Sequence, residues 1–382
     1  MLHLFGRKNR AVEETKSTLV GAKLFTWGRN ELGVGMRGTT SSTSSPEQIG
    51  SLTDWAVFTT GVKYNSFAIK TDGTMWGCGD NTYGGVGNSA SGANLSSPVQ
   101  IGVATNWVSL GQSNSAGTGG FGAAVNSAGK AYVWGKGNNG RSGLGNTTAY
   151  SSPAQLGSLT TWSRILKMQQ TTMAVKTDGS LWALGGVNAV GQCGTGDTTE
   201  RSSPVQVGDL TDWVNAEFAC GQESMLVAKS NGTLWAWGHN STGELGQGDT
   251  TNRSSPTQIG GKTDWRHVFT AYGKASFAVN ASGKLYAWGK NSVGFLGLGN
   301  TTGYSSPVQV GSLTDWEDGG CLYNTQAVKS DHTVWTWGPG SQGQLGRGST
   351  ANTSSPEQVG SETYWINMDF TRGGIGLARG NA

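Results

Sequence analysis

Seven times along this chain a proline is followed, nine residues later, by a tryptophan: Pro46 and Trp55, Pro98 and Trp107, Pro153 and Trp162, Pro204 and Trp213, Pro256 and Trp265, Pro307 and Trp316, Pro356 and Trp365. The prolines are 52, 55, 51, 52, 51 and 49 residues apart, and only Pro339 lies outside the series. A fixed interval of this kind marks one supersecondary unit copied along the chain, each copy stacked on the next to bury an apolar face it cannot bury alone. The repeat runs from about residue 22 to the end, so the 382 residues read as one closed architecture.

Within each period the same four segments recur. TMWGCG (74–79), KAYVWG (130–135), SLWALG (180–185), TLWAWG (233–238), KLYAWG (284–289) and TVWTWG (333–338) alternate large and small side chains, as GAKLFTWG does at 21–28. Period-two alternation with aromatic and β-branched types predicts a strand with one buried face. Gly/Asn/Ser-rich stretches such as HNSTGELGQGDTTNRSSP (239–256) follow and read as long loops. The proline is expected to open a short edge strand, as in PTQIG (256–260), where its missing N–H does no harm. Segments such as DWVNAEFACG (212–221) and MLVAKSNGT (225–233) supply two more strands. Asp72-Gly73, Asp178-Gly179 and Asn231-Gly232 predict type I′ hairpin turns.

Four antiparallel strands per period make a propeller blade, and no segment carries a 3.6-residue apolar period. The expected fold is all-β, a seven-bladed β-propeller of four-stranded blades. Aligned on the repeat, the chain enters one blade just after its hairpin near Gly21-Ala22 and stops at the same hairpin with GLARGNA (376–382). Pairing the last strand with the first would close the ring and remove free sheet edges. The expected division is an N-terminal arm, 1–20, and a propeller, 21–382.

Composition removes several classes of function. Charged residues are 13% and the net charge is +3, without the clustered basic surface of a nucleic-acid binder. Neither a signal-peptide core in MLHLFGRKNRAVEETKSTLV nor an apolar run near eighteen residues is present, so no membrane insertion is expected. Cys78, Cys193, Cys220 and Cys321 have neither C-x-x-C spacing nor a histidine cluster, and read as buried thiols rather than metal ligands. G-x-S-x-G, H-E-x-x-H and Walker motifs are absent, and the Gly-rich loops lack the helix a phosphate cradle needs. No catalytic, cofactor or metal residue is assigned. Asp54, Asp212, Asp264 and Asp315 recur too regularly to be a unique site and read as turn residues. The register tryptophans Trp55, Trp107, Trp162, Trp213, Trp265, Trp316 and Trp365 read as interblade core.

Trp237-Gly238-His239-Asn240-Ser241-Thr242-Gly243-Glu244-Leu245-Gly246-Gln247-Gly248 carries W-G-x-N-x-x-G-x-L-G-x-G in full. Its local departures elsewhere are Cys78, Leu184, Gly35 and Ser142. This pattern resembles the regulator of chromosome condensation repeat family over residues 22–382, and the resemblance implies a seven-bladed propeller. The family's Gly-x-x-His element is missing: the equivalent stretches are GVKY (61–64), GQES (221–224) and GCLY (320–323). The founding member's nucleotide-exchange activity is therefore not carried over.

Residues that break the repeat are the better candidates for recognition, because binding concentrates in loops on a rigid scaffold. They are Tyr83, Phe121, Tyr150, Phe295 and Tyr304, with Tyr150 and Tyr304 also placed to cover a blade edge. The arm adds Leu2, Leu4, Phe5, Arg7, Lys8 and Arg10 as a docking extension. Strand alternation predicts that Lys70, Lys176, Lys229, Lys329 and Arg379 share one rim with the repeated aspartates, as a solvated surface of weak pairs. The functional expectation is a non-enzymatic structural or adhesive propeller that binds other proteins. Because such repeats occur in virion proteins of tailed phages, the reading places it in a virion, with a host-surface receptor as a further partner. The alternatives are a cytoplasmic regulator of the exchange-factor type and a propeller-type protein inhibitor.

Overall fold

The structure is a computed structural model that describes residues 25–361, apart from 29, 31, 42, 52–53, 61–63, 114–119, 272–273, 322–323 and 342–344. Blade 5 shows the unit: Trp265–Thr270, Ala275–Asn280, Leu285–Gly289 and Tyr304–Gln309, each antiparallel to the next. The same order builds blade 1 from Trp55–Thr60 to Leu95–Gln100 and blade 2 from Trp107–Leu110 to Tyr150–Gln155. Blade 3 runs from Trp162–Lys167 to Val205–Gln206, blade 4 from Glu217–Cys220 to Arg253–Gln258, and blade 6 from Trp316–Cys321 to Thr353–Gln358. Phe25–Gly28 pairs with Thr43–Gln48 as two strands of a seventh. Neighbouring blades meet chiefly through their first strands, which are therefore innermost. Between blades 2 and 3 this contact becomes a parallel bridge, Gln112–Ser113 against Leu166–Lys167. Ring closure through the two termini, the arm, Trp365 and Arg379 fall outside the described residues.

Two local expectations are corrected. Except in blade 3, where Val205–Gln206 follows Pro204 directly as expected, the outer strands begin three residues before their prolines: Pro256 lies inside Arg253–Gln258, beside the register shift between Ala236 and Gly238. An edge strand tolerates this, because the side that lacks the N–H faces no partner strand. The hairpins are also not type I′, which needs two positive φ values. Gly73 has φ +82 but Asp72 is not left-handed; the Gly73 amide returns to Lys70 O and the Lys70 amide to Thr74 O, each 2.9 Å. The loop is thus three residues long with glycine last. There a Cβ would lie 2.0 Å from Thr105 O.

The aspartate in that loop aligns the hairpin with the core. Asp72 Oδ1 accepts from the amide and hydroxyl of Thr74 (2.8 and 2.7 Å), and that hydroxyl accepts the Trp76 indole N–H (3.0 Å). Asp178, Asn231 and Asp331 repeat the arrangement with Trp182, Trp235 and Trp335. These bonds hold the Asp72, Asp178 and Asp331 carboxyls below the usual range. For Asp72 the Thr74 amide is the largest cause and for Asp178 the Ser180 hydroxyl; for Asp331 the largest influence is burial, which opposes the Thr333 bonds that prevail.

The six described register tryptophans are buried, Trp213 and Trp316 almost completely. Each meets an aromatic ring of the third strand edge to face, as in Trp213 with Trp235 (6.1 Å) and Trp265 with Tyr286 (5.0 Å). A ring edge is electropositive and a ring face electronegative, which favours this edge-to-face arrangement over stacking. Core clusters straddle neighbouring blades: Leu166, Met173 and Val207 of blade 3 pack with Trp213, Phe218 and Trp237 of blade 4. The third-strand Trp134, Trp237, Trp288 and Trp337 also donate to the preceding blade's loop, at 2.8 to 3.2 Å. Each fits only because that loop carries glycine; a Cβ on Gly246 would lie 2.7 Å from Trp288. Where the third strand has Cys78 instead, the loop has Met36, at φ +56, packed on Cys78 and Ile49. The two departures from the repeat are one exchange of volume across an interface.

Candidate interaction surface

The propeller has two rims with different chemistry. On the hairpin rim the expected lysines and aspartates do lie together: Lys70 with Asp54 (3.2 Å), Lys229 with Asp212 (2.6 Å), Lys329 with Asp315 (3.4 Å). The expected solvation is wrong for the lysines. Lys229 is 3% exposed, its Nζ 3.9 Å from the Trp213 ring and 4.5 Å from that of Trp235, and Lys70, Lys176 and Lys329 lie likewise between paired tryptophans. Alternation placed the residues on the right rim but carried no information about the flanking indoles. In blade 5 the strand position is Asn280, bonded to Asp264 (2.9 Å), and the cation comes instead from Lys262, over Tyr286 (4.6 Å) and Trp265 (5.6 Å). Repetition of one arrangement in most blades marks this rim as scaffold.

The opposite rim is built from the long loops. Their shape is set by the motif asparagine: Asn240 donates to Asp249 O and Thr251 O (3.1 and 2.9 Å) and accepts from the Leu245 amide (2.8 Å). Asn188 and Asn291 do the same nine, eleven and five residues on. Onto these constant frames the chain places variable side chains. The residue before the asparagine is Asp80, Val187, His239 or Lys290; the one four after it is Gly85, Gln192, Glu244 or Phe295.

Across blades 1 to 3 these positions gather aromatic and cationic groups. Tyr83 is 44% exposed with Lys136 Nζ 4.8 Å from its ring centroid. Half-buried Phe121 has the Arg141 guanidinium 5.6 Å from its ring and its carbonyl 3.4 Å from Lys167 Nζ. Arg141 is held by the Lys136 carbonyl (2.9 Å) and by Asn138. Burial pulls Arg141 down to about 10; it also pulls Lys167 down to about 8, against the opposing pull of nearby Cys220. The other aromatic candidates do not join this patch. Tyr150 and Tyr304 open outer strands, half-buried over interblade core, with hydroxyls 3.0 and 3.3 Å from Asn146 and Asn300. Phe295 is buried in the core between blades 5 and 6, which removes it from any recognition surface. Leu2, Leu4, Phe5, Arg7, Lys8 and Arg10 lie outside the described residues.

Two charged groupings escaped sequence reasoning. At the junction of blades 4 and 5, His239 Nδ1 is 2.5 Å from Glu244 and His239 Nε2 is 3.3 Å from Lys274 Nζ. Along the inner strands, the Arg164 guanidinium donates to the carbonyls of Trp213, Val214 and Ala216 (2.7 to 3.0 Å), and Glu217 meets His267 Nδ1 at 3.0 Å. Burial works against the His267 imidazolium, but the Glu217 hydrogen bond and charge, with Asp318, leave it above its ordinary value. The signal was available, since all of these break the repeat. Attention to aromatic exceptions alone missed it. Among the described residues no three His, Cys, Asp or Glu side chains are grouped to hold a metal ion, and no helix is long and apolar enough to cross a membrane.

The regulator of chromosome condensation (RCC1) repeat model matches residues 231–273, 282–318 and 331–367. The chain is 29% identical over 313 residues to the ultraviolet-B receptor UVR8 of Arabidopsis thaliana, covering 76% of this chain and 66% of that protein. It is 27% identical over 368 residues to the human E3 ubiquitin-protein ligase HERC2, 80% of this chain but 8% of that one. The chain thus spans less than two thirds of these curated relatives' own length. Among solved structures, yeast RCC1 (Prp20), in a structure with Kap60, superposes with a TM-score of 0.78 at 16% identity, covering 100% of this chain and 97% of that one. Human WBSCR16 gives 0.76 at 16% identity, covering 94% and 99%. The chain thus carries regulator of chromosome condensation repeats at residues 231–273, 282–318 and 331–367, and its repeat motif and blade topology resemble the β-propellers of that family.

Proposed function

We propose that the chain is a recognition propeller that holds a partner protein on its long-loop rim and acts by binding, without catalytic chemistry of its own. The observation that carries this reading is the separation of constant from variable residues. Repeated side chains account for most of the interblade core and the hairpin rim, whereas many of the side chains that break the repeat, among them Tyr83, Lys136, Arg141, His239 and Glu244, sit on the long loops, with Arg164, Glu217 and His267 on the inner strands. Mixed charges and partly exposed aromatics on those loops suit a protein surface. The family supports the reading: yeast RCC1 was solved bound to Kap60, and Prp20p is described by its binding to Gsp1p and histones. At 16% identity those partners belong to those proteins. The ligase activity in HERC2's name likewise belongs to a protein of which this chain spans 8%.

Placement in a tailed-phage virion, with residues 1–20 as the docking extension, rests on the polar loop composition and the non-repeat N-terminal segment. The relatives named above are proteins of plants, animals and yeast, and they support the alternative, a cellular regulator. Site-specific photo-crosslinkers at Tyr83 and Ser241, compared with Leu159 and Leu313 on the hairpin rim, test the rim in the native source. A partner captured from the first pair alone is expected. Capture from the hairpin rim alone refutes the assignment.

A further inference from the structure

The junction of blades 4 and 5 holds a narrow, solvent-open niche of about 10 Å³, room for one water-sized group such as a single carboxylate oxygen, bordered by Ser224, His239, Glu244, Thr270, Lys274 and Ser276. The Glu244 carboxylate is buried and fully engaged: one oxygen accepts from the Thr242 amide and hydroxyl (2.8 and 2.9 Å), the other meets His239 Nδ1. With the Nδ1 hydrogen committed to Glu244, a neutral imidazole presents a bare Nε2, to which the Lys274 ammonium donates. Glu244 and Lys274 then sum to zero. A second proton on Nε2 would set one N–H against another, unless an acceptor stood between them.

Two further observations point to a ligand in that place. The Thr270 hydroxyl borders the niche, is 2% exposed and has no hydrogen-bond partner, an expensive arrangement for a buried hydroxyl. Lys274 has φ +67, a left-handed backbone that a side-chain-bearing residue rarely adopts and that functional sites favour. Glu223 also lines the niche, so an anion enters a site already negative unless the imidazole is charged.

We propose that this niche binds the carboxylate of a partner protein's acidic side chain together with one proton. The proton goes from solvent to His239 Nε2. The carboxylate then accepts from Nε2–H, from Lys274 Nζ and from the Thr270 hydroxyl, and the Glu244–His239–Lys274–carboxylate set stays neutral. This deepens the long-loop-rim reading, and only the word partner rests on that reading.

The chain has four histidines, so imidazole-labelled protein resolves His239 by nitrogen NMR. Sodium acetate is titrated against sodium chloride at equal ionic strength between pH 5.5 and 8.5, and calorimetry in buffers of different ionisation heat counts protons. Saturable acetate-dependent shifts at His239 are expected, with uptake of about one proton and an affinity falling about tenfold per pH unit on the alkaline side. His239→Gln and Lys274→Gln abolish both effects; Thr270→Val, which removes only the unpaired hydroxyl, weakens binding several-fold while melting stays cooperative. A response matched by chloride, binding without proton uptake, tighter binding of inorganic phosphate than of acetate, or acetate binding that survives Lys274→Gln each overturns the proposal. Those failures leave the crosslinking result untouched.

Discussion

Lys229 is the sharpest test of how the hairpin rim is built. A lysine beside Asp212 on a mixed-charge rim is expected to contribute about 0 to 1 kcal/mol. The structure gives a different magnitude. Lys229 is 3% exposed, with its ammonium between the faces of Trp213 and Trp235, whereas Asp212 keeps 48% of its side chain in solvent. Truncation to alanine removes three buried methylenes, about 0.8 kcal/mol each. It also removes two partly desolvated cation–π contacts worth ~1 kcal/mol each. Relief from ammonium desolvation offsets part of this. The expected loss for Lys229→Ala is therefore about 2 to 3 kcal/mol. Lys229→Met keeps the stem between the rings and should lose about 1 kcal/mol, and Asp212→Asn at most about 1. Urea titration with a common m-value reads all three. Equal losses for Lys229→Ala and Asp212→Asn, or a loss below ~0.5 kcal/mol for Lys229→Ala, would show that the indoles do not hold the lysine.

Trp213→Ala should lose about 3 to 5 kcal/mol in the same assay, as for a fully buried aromatic at an interblade seam; a loss under ~1 kcal/mol refutes the core assignment. Cys78→Trp alone overpacks against Met36, whereas Cys78→Trp with Met36→Gly recreates the pairing that Trp134, Trp237, Trp288 and Trp337 make, so the double variant should be more stable than the single by at least ~1 kcal/mol. His267 has a raised folded value, so its contribution is complete below the ordinary imidazole pKa of about 6.5 and is lost as pH rises through the folded value; melting of His267→Gln against wild type should show that decline, and a pH-independent difference refutes it. Lys167 is the opposite case. Its charged form is disfavoured in the fold, down to about 8, so Lys167→Met should stabilise at pH 7, and the gain should shrink as pH climbs from 8 toward 10.

The repeat arithmetic by itself determined the architecture. A proline and tryptophan at one register, with period-two alternation between them, admit few arrangements other than a ring of small sheets, because each unit has an apolar face that only its neighbour can cover. The same pattern placed Lys229 and Asp212 on one rim, since alternation and strand direction are properties of the local chain. It could not say that Lys229 lies between two indoles, that Phe295 is core while Tyr83 is exposed, or that Met36 fills the volume left by Cys78. Met36 and Cys78 lie 42 positions apart, Phe295 and Tyr83 differ in how far one loop covers the next blade, and Lys229, though only 6 residues from Trp235 and 16 from Trp213, is enclosed only when both segments fold back onto its strand. The His239–Glu244–Lys274 niche was undetermined for the same reason: His239 and Glu244 share a loop, but Lys274 is delivered by the following blade, and only stacking two blades brings the third group to the other two.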